Sequence, residues 1–93
     1  MTTYALVTLT ITNPESFELY RQQAGAALAK HGGAAMEVSK TSEVIEGDGV
    51  APTVTVILTF PDRDAAKAWI NDPEFAEAHA LRRGSGTSNI ILM

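Results

Sequence analysis

The chain has 93 residues, seven basic and eleven acidic side chains for a formal charge of -4, 45% apolar and 19% charged residues, and no cysteine. That length suits one domain over residues 1–93 with one core, and the composition excludes disorder and collagen-like repeats. Scattered basic residues argue against nucleic acid, the missing cysteines exclude disulfides and zinc–thiolate sites, and no apolar run approaches a membrane span.

The residues from Tyr4 to Thr12 alternate, with Ala5, Val7, Leu9 and Ile11 on one side and Tyr4, Leu6, Thr8, Thr10 and Thr12 on the other, the period of a strand. Asn13-Pro14-Glu15 then reads as a helix start: a capping amide, a proline at the first helical position and a carboxylate at the positive end. Phe17, Tyr20, Ala24, Ala27, Leu28 and His31 share one helical stripe and Gly32-Gly33 ends it, so the spacing predicts a helix over 14–31. Ala35 to Glu46 predicts a polar edge strand, with a bulge because Val44 and Ile45 are adjacent. After Gly47-Asp48-Gly49 and Pro52, the segment 53–60 predicts a strong strand that closes a hairpin with it. Pro61-Asp62 caps a second helix through Ala65, Ala66, Ala68, Trp69 and Ile70, and Asp72-Pro73-Glu74 restarts helix to about Leu81. Gly84 to Ser88 reads as a flexible turn, and Asn89 to Met93 as a last short strand.

This order, with right-handed crossovers, gives an α+β chain of ferredoxin-like βαββαβ form: a four-stranded antiparallel sheet with its helices on one face. Val7, Leu9, Val54, Val56 and Leu58 are expected beneath the helices. The other face mixes Tyr4, Leu6 and Ile57 with threonines, and a cover for it is expected. Met1-Thr2-Thr3 does not begin a basic, then apolar, leader, so a soluble cytoplasmic protein is expected.

Several stretches together resemble a known family: Tyr4-Ala5-Leu6-Val7, the run from Asn13 to Arg21, His31-Gly32-Gly33, Glu46-Gly47-Asp48, Phe60-Pro61, Ala66-Lys67-Ala68-Trp69, Asp72-Pro73-Glu74-Phe75 and Leu81-Arg82. Almost end to end, the chain is similar to the bacterial family catalogued as domain of unknown function 1330, within the dimeric α+β barrel superfamily. The resemblance implies a homodimer in which two sheets face each other, with a cleft in each subunit between sheet and helices. It implies no established reaction, because fold does not fix function.

His79 and Arg82 are three residues apart on a helix and point to one side, where a neutral imidazole exchanges protons and a guanidinium clamps a carboxylate or enolate. The plainer reading is a surface histidine and a half-exposed arginine loosely paired with Glu74 or Glu77. Tyr20 and His31 face the sheet, as ligand contacts or as core with polar tips, and Trp69 reads as ligand platform, core or dimer rim. Gly84 to Ser88 lacks the lysine and spacing of a phosphate loop. No metal site, no cofactor and no Ser-His-Asp arrangement is expected. Three functions stay open: a homodimer binding a small apolar or aromatic acid between sheet and helices, with Arg82 and His79 at the mouth; a cofactor-independent monooxygenase or isomerase using His79 or His31 as base; and a purely structural dimer.

Overall fold

The computed structural model describes all 93 residues, Met1–Met93. The elements are β1 (Thr3–Ile11), α1 (Pro14–Lys30), β2 (Ala34–Ser39), β3 (Val54–Phe60), α2 (Arg63–Ile70), a one-turn 3-10 helix (Pro73–Phe75), α3 (Ala76–Gly84) and β4 (Gly86–Leu92). The strands pair antiparallel in the order β2-β3-β1-β4, the expected ferredoxin-like arrangement. No helix is long and apolar enough to cross a membrane.

The period-two pattern decides which face the helices cover. Ala5, Val7, Leu9, Val54, Leu58 and Phe60 are buried with Ala27 and Leu28 of α1 and Ala66 and Trp69 of α2, while Val56 is partly buried beside them. The caps form as the sequence requires: Asn13 Oδ1 accepts from the Ser16 N–H at 3.2 Å, Asp62 Oδ1 from Ala65 at 2.7 Å, and Asp72 Oδ1 from Glu74 at 2.9 Å.

Two segments differ from expectation. β2 ends at Ser39, short of the expected Glu46, while the bulge expected on this edge strand lies between Ala35 and Glu37. Beyond Ser39, side chains replace the backbone ladder: Ser42 Oγ donates to Thr55 Oγ1 at 2.8 Å and lies 3.3 Å from Ser39 Oγ, the local competition with strand pairing that serine favours. The segment 84–88 is not a flexible turn. Gly84 ends α3, Ser85 is fully buried, and β4 begins at Gly86, ahead of the expected Asn89. The Ser85 carbonyl accepts from the N–H groups of Thr12 and Asn13 at 2.8 and 3.0 Å, tying this corner to the start of α1. Gly86 has φ +151, and a Cβ there would collide with the Thr10 carbonyl oxygen, so glycine serves close strand approach rather than mobility.

Candidate functional site

On the inner stripe of α1, Ala24 is too short to fill the space over the sheet. A cleft of about 370 Å³ remains between α1 and the β1, β3 and β2 surface. Phe17, Tyr20, Ala24 and Leu28 form its helical wall, and the inner side chains of β1 and β3, with Ala35 and Val38 of β2, form its floor. Val38 pairs with Val56 on the inner face yet is 48% exposed, because α1 leaves the β2 edge uncovered. Arg21 and Lys40 line the same cleft and are exposed. Arg21 is paired with Glu18 at 3.1 Å, whereas Lys40 makes no ion pair.

A second constellation lies under α3. Phe75, Ala78, His79 and Arg82 follow the i, i+3, i+4, i+7 spacing of an inward helical stripe. His79 and Arg82 are each 2% exposed. The imidazole Nε2–H donates to the Trp69 carbonyl at 2.9 Å, and its Nδ1 accepts from Arg82 Nη1 at 2.6 Å, which fixes a neutral tautomer. Burial pushes the His79 pKa below its ordinary value of 6.5, the Trp69 carbonyl opposes this, and the Arg82 charge reinforces it. The guanidinium lies between two aromatic rings, its carbon 5.7 Å from the Tyr20 centroid and 5.6 Å from that of Trp69, with Nε 3.3 Å from Ser88 Oγ. Burial pushes its pKa down as well, opposed by Tyr20.

His31 belongs to a third group at the far end of α1. Its Nε2 and the Lys30 Nζ each lie 2.7 Å from Asp72 Oδ2, and Lys30 also meets Glu74 at 2.6 Å. Hydrogen bonds from Lys30, then His31, then the Glu74 N–H hold the Asp72 carboxyl well below the usual carboxylate range.

The fold thus brings Tyr20, Trp69, His79 and Arg82 together and leaves His31 apart. Of the five, Tyr20 lines the cleft. Arg82, expected half exposed and loosely paired, is instead buried and makes no ion pair, because it stands on the inward stripe of α3. The cleft mouth expected of His79 and Arg82 is supplied by Arg21 and Lys40, which sequence reasoning missed. Lys40 sits past the end of a polar edge strand, where no periodicity points. Asp72 was read as a cap; its pairing with His31, across 41 positions, has no local signal.

The family pattern described as domain of unknown function (DUF1330) matches residues 2–93. The chain belongs to the DUF1330 family. No curated protein matches it. Among solved structures, a protein of unknown function from Rhodopseudomonas palustris is 17% identical, with a TM-score of 0.81 over 99% of this DUF1330 chain and 80% of that one. The cofactor-independent oxygenase SnoaB from Streptomyces nogalater is 19% identical, with a TM-score of 0.71 over 99% and 90%. A dimeric ferredoxin-like protein of unknown function from Jannaschia is 16% identical, with a TM-score of 0.68 over 100% and 98%. At these identities the likeness establishes the shared ferredoxin-like fold.

Proposed function

We propose that this DUF1330 chain is a homodimer that binds a small apolar or aromatic acid in the cleft between α1 and the sheet. The observation that carries the reading is the cleft itself: 11 of its 13 lining residues are hydrophobic, and the cationic Arg21 and Lys40 stand at its opening. An apolar lining with a few polar groups is the usual form of a small-molecule site. In a chain of net charge -4, the unpaired Lys40, beside Arg21 and its Glu18 partner, favours an anionic visitor at the opening. Trp69 and Phe75 lie outside the cleft and Phe17 forms one of its walls, which weighs against a purely structural role. Neither histidine lines it, and both ring nitrogens of His79 are engaged, which weighs against the oxygenase or isomerase alternative with a histidine base.

Self-association rests on the outer sheet face. Leu6 pairs with Ile57 on one side and Ile91 on the other, so an apolar band crosses three strands, with Ile91 62% exposed. Two such bands facing each other would remove this surface from water. A thermal-shift screen of apolar acids, with light scattering at micromolar concentration, tests both parts. The expected result is a dimer stabilised by some acids, with no oxygen uptake or isomer formed from them. A monomer, or a screen in which no apolar compound raises the melting temperature, would overturn the corresponding half.

A further inference from the structure

The cluster beneath α3 is short of acceptors and of negative charge. Arg82 is 2% exposed, yet its hydrogen-bond partners, His79 Nδ1 and Ser88 Oγ, are both neutral, and no carboxylate lies within ion-pair distance. The Trp69 ring packs against the guanidinium, and its buried indole N–H has no hydrogen-bond partner. A buried cation without a counter-charge and a buried N–H without an acceptor each cost stability. The guanidinium lies over the indole ring while the N–H projects from the ring edge, and it is the guanidinium, buried without a counter-charge, that an anionic oxygen would relieve.

Tyr20 connects this cluster to the cleft. Its ring lines the cavity and also stands against the guanidinium. It is half-buried and borders about 370 Å³ of open space into which it can turn. His79 holds one end of the arginine fork in place, so the guanidinium is already positioned without being neutralised.

We infer that Arg82, against the Trp69 ring, forms a buried anion subsite, and that Tyr20 swings aside to admit to it the carboxylate of an acid whose apolar body occupies the cleft. This inference rests on the cleft reading above and adds an orientation, with the carboxylate inward and the body between α1 and the sheet. One guanidinium with no second buried cation suits a monocarboxylate rather than a phosphate ester. Lys40 and Arg21 then draw the acid to the mouth without being its final partners.

The test compares cyclohexylbutanoate with cyclohexylbutanamide, which share a body and differ in charge, by calorimetric titration alongside the emission of Trp69, the single tryptophan. The acid is expected to bind about tenfold tighter or more than the amide, the range of a buried charge-assisted hydrogen bond, and to shift the emission where the amide shifts it less. Arg82→Met removes the preference and leaves amide binding in place. Arg21→Gln with Lys40→Gln slows acid association and keeps the emission shift. Should Arg82→Met fail to fold, the wild-type affinity ratio and emission decide alone. Equal binding of acid and amide overturns the subsite and leaves the cleft standing, as does a preference lost in the double variant with Trp69 unmoved. Failure of both probes to bind overturns the cleft reading and this inference together.

Discussion

The helical layer covers the two sides of the sheet by opposite means. Toward β2, α1 offers Phe17, Ala24 and Leu28, and the contact is apolar but incomplete, leaving the cleft. Toward β4, α3 packs His79 and Arg82 against Trp69 of α2, and that contact is polar and closed, whereas α2 itself leaves a smaller apolar hollow of about 220 Å³ beside Ala66, Ile70, Ile90 and Leu92. Apolar character therefore does not measure completeness of packing here. Small side chains leave a void that costs dispersion contacts, whereas large ones with polar tips fill space and must find partners for those tips.

The largest expected effect separates volume from charge. Leu58 is 4% exposed and lies in the floor shared by core and cleft, so Leu58→Ala is expected to cost about 2 to 5 kcal/mol. Arg82→Met keeps most of the volume and removes a buried charge that has no counter-ion. The relief of desolvation offsets the loss of the His79 contact, so the change is expected to stay within about 2 kcal/mol of the wild type. Urea unfolding measures both. An Arg82→Met loss exceeding that of Leu58→Ala would mean the guanidinium's hydrogen bonds outweigh its burial cost.

The next effect asks the same substitution of both sides. Ala24→Leu extends into the cleft and is expected to stabilise by about 1 kcal/mol while removing acid binding. Ala78 is 1% exposed in the closed region, so Ala78→Leu is expected to destabilise by about 1 to 3 kcal/mol through overpacking. Denaturation of the two variants side by side gives opposite signs if one region is open and the other closed; equal signs would break the contrast.

How far the sequence carried this difference depends on the element. The alternation in β1 and β3 told which face is inner, because burial of one face imposes the period directly. The helical wall of the cleft was likewise legible, since Phe17, Tyr20 and Leu28 recur on one stripe. Arg82 was misplaced because a charged residue was assumed to face solvent. Its spacing from Phe75 and Ala78 put it on the inward stripe, but only the neighbouring Tyr20 and Trp69 rings, supplied by other helices, make that burial tolerable. Ser85 and Gly86 looked mobile by composition, although their roles depend on Thr10, Thr12 and Asn13, far away in the chain. Long-range partners of this kind leave no local period to read.

The smallest effect distinguishes the regions by pH. His79 has its folded pKa lowered, chiefly by burial, from an ordinary 6.5. As the pH falls below about 6.5, the unfolded chain takes up a proton that the folded chain still refuses, so the unfolded state is favoured. The contribution is complete above that value and is lost as the pH falls through the folded pKa. Asp72 obeys the same sign in a lower window: its carboxyl is held below an ordinary 3.8, first by Lys30 and then by His31, so its contribution persists above that value and disappears beneath it. Between about pH 7.5 and pH 5 the slope of stability should therefore come from the closed region, with Asp72 silent. Urea midpoints across that range are expected to fall in the wild type and in Asp72→Asn, and to flatten in His79→Gln, whose side-chain amide can still donate to the Trp69 carbonyl. A slope unchanged in His79→Gln would separate the acid response from the cluster that holds Arg82.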